Sequence, residues 1–150
     1  MENREILNRL APCGLHCGKC FAFANGDIAK HSSELQKSLG NFDIYAQRFV
    51  ELLNEPAFCK YPEFKEMLSV LAEGTCNGCR KEHCKLFKSC NVRTCAEKKK
   101  VDFCFQCNDF PCDQTGFDDH LYERSVNINI HMREIGIESY FNEVKDKPRY

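Results

Sequence analysis

Residues 76–112 carry eight cysteines: Cys76-Asn77-Gly78-Cys79, then Cys84, Cys90 and Cys95, then Cys104-Phe105-Gln106-Cys107 and Pro111-Cys112. This stretch decides the fold class. A C-x2-C pair around a tight turn is a knuckle, because turn amides can donate to the sulfurs while both thiolates face one ion. Two such pairs 24 residues apart come close to the zinc-ribbon spacing, with a slightly longer gap. Upstream lies Cys13-Gly14-Leu15-His16-Cys17-Gly18-Lys19-Cys20. Its three thiols can bend onto one centre, with Gly14 and Gly18 allowing the turns. The same spacing suits three irons of a four-iron cluster and leaves one corner for another ligand. Radical chemistry with S-adenosylmethionine also uses this spacing, but it needs a barrel far longer than 150 residues.

The compartment decides between metal and disulfides. The first ten residues are charged throughout and lack an apolar core, so no signal peptide and a cytoplasmic location are expected. Reduced, clustered thiols then read as metal ligands. The expected ligands are Cys13, Cys17, Cys20, Cys76, Cys79, Cys90, Cys95, Cys104, Cys107 and Cys112. Cys84 is the weakest member of the middle group. Four thiolates per zinc make two zinc ions the natural count, and an iron–sulfur cluster is the alternative cofactor. Cys76 and Cys79 are expected to share a site with two of the cysteines that follow. Cys104, Cys107 and Cys112 then join the N-terminal group or a leftover from the middle. Cys59, alone after Phe58, reads as a small buried hydrophobe. His16 and His83 are weaker candidates, as ligands or as donors behind them.

Between the cysteine groups the pattern is helical. Phe42, Tyr45, Phe49, Leu52 and Leu53 form one stripe behind Asn41. Phe64, Met67, Leu68 and Leu71 form another, with Pro62 in the first turn and Gly74 at the stop. Ser33 and Gln36 suggest a capping box for a short helix ending near Leu39. Ile128, Met132 and Ile135 precede Gly136, and Ile137, Tyr140, Phe141 and Val144 follow it. These stripes are expected to pack into a core. No strand pattern stands out, and the cysteine-rich part shows turns and short apolar pieces only.

The fold class expected is therefore a small α-rich, metal-stabilised domain: helices packed on a loop-rich cysteine lobe with zinc knuckles and little or no sheet. A single domain over 1–150 would comprise a helical insert at about 29–74, a cysteine lobe at 10–20 plus 76–112, and a C-terminal helix at about 126–145. No apolar run approaches a membrane span.

Charge divides sharply. Residues 76–100 hold eight basic and two acidic side chains, while 101–123 hold six acids and no Lys or Arg. The basic segment could meet nucleic acid or a protein. The preferred reading is that it offsets thiolate charge and pairs with the acidic stretch, because the lysines sit among the cysteines. Phe87, Phe103 and Phe105 are the candidates for stacking on bases. No phosphate loop, hydrolase elbow or dinucleotide fingerprint is present, and no catalytic residue is assigned.

Taken together, Cys13-Gly14-Leu15-His16-Cys17-Gly18-Lys19-Cys20, Cys76-Asn77-Gly78-Cys79-Arg80, Cys90-Asn91-Val92-Arg93-Thr94-Cys95-Ala96 and Cys104-Phe105-Gln106-Cys107-Asn108-Asp109-Phe110-Pro111-Cys112 resemble a prokaryotic cysteine-rich family, domain of unknown function 3795. The resemblance covers most of residues 10–142 and implies a small metal-binding protein without an assigned reaction. Family members often carry a cysteine three residues before the position of Cys90, where this chain has Phe87. The functional expectation is a zinc-binding protein whose metals are mainly structural and which presents a binding surface. The alternatives are an iron–sulfur redox or sensor module on the first motif and a zinc-dependent nucleic-acid module at 76–100.

Overall fold

The computed structural model describes residues 3–150. Among them are seven α-helices and no sheet, only two isolated bridges, Leu10 with His16 and Phe23 with Cys76. Helix α1 spans Asn3–Arg9. A 3-10 turn at Cys17–Lys19 follows, then α2 (Asp27–Leu39) and α3 (Phe42–Leu52). A second 3-10 turn, Pro56–Lys60, leads into α4 (Tyr61–Glu73). The cysteine-rich stretch contributes α5 (Val92–Lys99) and a 3-10 turn at Cys104–Gln106. The chain closes with α6 (Asp119–Ile135) and α7 (Ile137–Val144).

Helices α2, α3 and α4 form the insert. Helix α2 lies along α4, joined by the Gln36 amide donating to the Ser69 hydroxyl at 3.1 Å. Lys65 of α4 reaches Asp43 of α3 at 3.0 Å. Pro62 sits in the first turn of α4, where its missing N–H costs nothing, and Gly74 ends the helix in the left-handed conformation. The bridge at Phe23 and Cys76 stitches the two ends of the insert together. There the Ala24 amide donates to the Cys76 carbonyl, and the Cys76 amide to Ala22, both at 2.8 Å.

Several expectations need correction. Ser33 does not cap a helix: α2 starts six residues earlier, behind Gly26, and Ser33 lies in its middle. The C-terminal helix is two helices, and α6 begins well before 126, because the Asp118 side chain accepts from the Leu121 amide and caps it. The cysteine-rich part is not turns alone. Helix α5 forms on good helix formers (Arg93, Ala96, Glu97, Lys98, Lys99), with lysines in the last turn complementing the dipole. The insert's stripes are only partly core. Tyr61 and Leu68 are buried, but Ile44, Tyr45, Leu52, Leu53, Phe64, Met67 and Val70 are exposed, Met67 at 60%.

The core that positions the cysteines is built from the two ends of the chain. Ile6 of α1 and Leu10 just after it meet Met132, Tyr140 and Phe141 of α6 and α7, with Phe103 fully enclosed among them. A neighbouring cluster joins Ala11, Cys13, Leu15 and Cys17 to Val92 and Leu121. Gly14 shows why the first cysteine loop lies so close to α6. Its φ is +87°, and a Cβ there would collide with Ile128.

Candidate metal centres

Eleven of the twelve cysteines gather into one region, and all twelve are free thiols. Cys59 stands apart on the second 3-10 turn and is exposed, not buried as expected, because that turn lies on the outside of the insert.

The first group lines a cavity of about 30 Å³: Cys13, Cys17, Cys79, Cys84 and Cys90, walled by Leu15, Phe87, Val92 and Phe117. Cys79 neighbours both Cys17 and Cys84. Its interaction with these two thiols, with burial, raises its pKa, while the same interaction lowers those of Cys17 and Cys84. Burial raises Cys13 well above the ordinary thiol range.

The second group lines another cavity of about 30 Å³: Cys95, Cys104, Cys107 and Cys112. Its walls are largely apolar, with Val92, Ala96, Val101 and Phe110 among them and Lys99 at the side. Three segments supply the sulfurs. Cys95 comes from α5, Cys104 and Cys107 flank the third 3-10 turn, and Cys112 follows the Phe110–Pro111 pair. Burial, then the neighbouring thiols Cys112, Cys95 and Cys107, push Cys104 up to about 12.

Cys20 and Cys76 lie beside the first group without lining its cavity. The Gly78 amide donates to the Cys76 sulfur at 3.4 Å, the turn-amide contact expected of a knuckle. The Tyr150 hydroxyl donates to the Cys20 sulfur at 3.9 Å. The C-x3-C-x2-C motif is thus divided, with Cys13 and Cys17 on the cavity and Cys20 turned toward the tail. Cys79 lines the same cavity as Cys17, Cys84 and Cys90, while Cys95 lies with the second knuckle. As the side chains stand, no set of three or more His, Cys, Asp or Glu groups among the described residues is drawn close enough to hold a metal ion.

One residue fixes the two cysteine loops to one helix. Asn129 of α6 has 0% exposure. Its amide nitrogen donates to the Cys13 carbonyl and the Ser125 carbonyl, each at 2.9 Å, and its oxygen accepts from the Phe105 amide at 3.0 Å. Ser125 adds a second bond to the Cys13 carbonyl at 3.0 Å. Arg80 ties the middle loop in the same way. It donates to the Leu10 carbonyl at 2.8 Å and the Asp102 carbonyl at 2.7 Å, and lies over the Phe103 ring at 4.8 Å. Neither Asn129 nor Arg80 carries a spacing signal that sequence reasoning could have used.

Four of the eight basic side chains of the segment are engaged within the chain. Arg80 is pinned, Arg93 pairs with Glu97, Lys85 with Glu82, and Lys99 with Asp109 of the acidic stretch. Phe103 is buried and offers no face to a base. His16 lies against Phe141, with ring centroids 5.6 Å apart, and the charges that bear on it are Lys19, Arg9 and Arg149. His83 sits beside Cys84 and contacts that residue's carbonyl at 3.1 Å.

The family described as "Protein of unknown function (DUF3795)" matches residues 9–117. The chain belongs to the DUF3795 family. The matched DUF3795 segment contains both cysteine groups and the whole helical insert, and ends just before α6. No curated protein matches the chain, and no solved structure matches it. No helix among the described residues is long and apolar enough to cross a membrane.

Proposed function

We propose that this DUF3795 protein binds two zinc ions that serve mainly to hold its loops, and that the helical insert presents a binding surface. The observation that carries the metal reading is the second thiol group. Four cysteines from three separate segments line one small, largely apolar cavity. Four thiols without a histidine are the donor set of a closed structural zinc site. The residues proposed to hold this ion are Cys95, Cys104, Cys107 and Cys112. In the first group, Cys17, Cys79 and Cys84 line one cavity and would have to draw together around the ion, with Cys13 or Cys90 completing the set. Zinc would add a negative complex to each cavity, with Lys99 beside one and Arg93 and Arg149 beside the other. Cys20 and Cys76 stay in reserve beside the first group.

The surface part of the proposal rests on the insert. Its exposed Ile44, Tyr45, Leu52, Leu53, Phe64, Met67 and Val70 are more large apolar side chains than folding needs to leave outside. The pairing of Arg93, Lys85 and Lys99 and the burial of Phe103 weigh against a nucleic-acid module at 76–100.

Elemental analysis and the visible spectrum of anaerobically purified protein test the metal reading together. The expected result is a colourless protein with zinc near two per chain. Absorption near 400 nm with iron present would move the same thiols to an iron–sulfur centre.

A further inference from the structure

The tail and the last helices enclose a second kind of site. A cavity of about 110 Å³ sets His16, Lys19, Arg124, Tyr140, Lys147 and Arg149 around a lining that is otherwise apolar. No Asp or Glu among the described residues lines it. Lys19 commits its ammonium to Asp27, so the cations left to the cavity are Arg124 of α6 and Lys147 and Arg149 of the C-terminal tail, with His16 at the edge of the first 3-10 turn.

His16 is 6% exposed, yet neither ring nitrogen has a hydrogen-bond partner among the described residues. A neutral imidazole has one N–H and one lone pair, and leaving both unmet in a buried place is costly and rare. The Arg149 Nε is buried and unpaired too. The other bonds here hold the wall in place. Arg149 Nη1 donates to the His16 carbonyl at 3.1 Å, Arg124 donates to the Arg149 carbonyl, and Lys19 donates to Asp27 outside the cavity at 2.8 Å. Water could satisfy an imidazole, but it leaves Arg124, Lys147 and Arg149 without a counter-charge in the cavity.

We propose that this cavity binds a phosphoryl group, as inorganic phosphate or as the phosphate end of a small monoester. A tetrahedral dianion offers acceptors toward α6, the tail and the first 3-10 turn at once, where a planar carboxylate serves fewer. The volume holds several waters at roughly 10–15 Å³ each, enough for one oxyanion and too little for a sugar or a base. Any ester remainder therefore projects outside. Arg124, Lys147 and Arg149 lie beyond the DUF3795 match, so the site belongs to this chain's own C-terminal part.

The test uses the full chain as isolated, with metal content measured for every variant. Inorganic phosphate, phenyl phosphate and acetate are titrated at fixed ionic strength while the His16 ring resonances are followed by NMR. Phosphate is expected to give a saturable shift of His16, and acetate a much weaker one. Arg124→Gln should weaken binding about tenfold, as expected for one lost charged donor. The exposed Lys147→Gln should weaken it a few-fold, and it serves where Arg124→Gln fails to fold. Tighter binding of phenyl phosphate identifies an ester as the ligand, and binding of inorganic phosphate alone identifies the free ion. The absence of a saturable His16 shift, equal response to acetate, or unchanged binding in Lys147→Gln would overturn the proposal.

Discussion

Replacing Asn129 by leucine tests whether one side chain joins the two cysteine loops. Leucine keeps the heavy-atom branching of asparagine with bulkier ends, so the change removes polarity without opening a cavity. The Phe105 amide loses its only acceptor, the Asn129 oxygen at 3.0 Å. A buried donor left unpaired costs about 1–3 kcal/mol. The Cys13 carbonyl loses one bond but keeps Ser125 at 3.0 Å, a smaller loss of about 1 kcal/mol. The sum is about 2–4 kcal/mol. With a urea slope of about 2 kcal/mol per molar, the unfolding midpoint should fall by about 1–2 M at unchanged slope. Asn127 supplies the control, since it lies two residues away on the exposed face of α6. Asn127→Leu should stay within about 0.5 kcal/mol of the parent protein. Equal midpoints for the parent and Asn129→Leu would refute the reasoning.

Gly14→Ala should destabilise by about 1–3 kcal/mol, read as a lowered melting temperature, because it combines a positive φ with a collision against Ile128. Arg80→Lys should cost about 1–2 kcal/mol in urea titration, since a single ammonium cannot span the Leu10 and Asp102 carbonyls while stacking on Phe103. Cys79→Ser should lower both metal content and melting temperature, and Cys84→Ser should lower metal content as well. Cys59→Ser, on the outside of the insert, should leave the metal content of the parent unchanged; loss of an ion there would place Cys59 among the ligands.

The helices of the insert and of the C-terminus were readable where period and punctuation agreed. Pro62 with Gly74, and Gly136 between two apolar stripes, mark boundaries that the structure keeps. Helix α5 was missed because its formers are polar and its apolar residues few, so helical propensity acts there without a stripe. The start of α2 was misjudged because a Ser-Gln spacing inside a helix looks the same as one at its start. A stripe reveals which side of a helix is apolar but not whether anything covers it, and so Phe64 and Met67 looked like core.

At the candidate site, spacing identified the knuckles, since both residues of a C-x2-C pair must lie close together. It could not rank Cys84, whose contact with Cys79 depends on how the loop after Gly78 folds back. It also could not divide Cys20 from Cys13 and Cys17, because that separation is made by the tail, through Tyr150. Asn129 and the cation-lined cavity around His16 arise only when residues more than a hundred positions apart are brought together.

Anomalous scattering from crystals of the anaerobically purified protein, collected on both sides of the zinc edge, examines the central claim most directly. The account predicts two zinc peaks, one among Cys95, Cys104, Cys107 and Cys112 and one among Cys17, Cys79 and Cys84. A folded chain with no peak at either place, or with sulfur–sulfur bonds joining these residues, would contradict it.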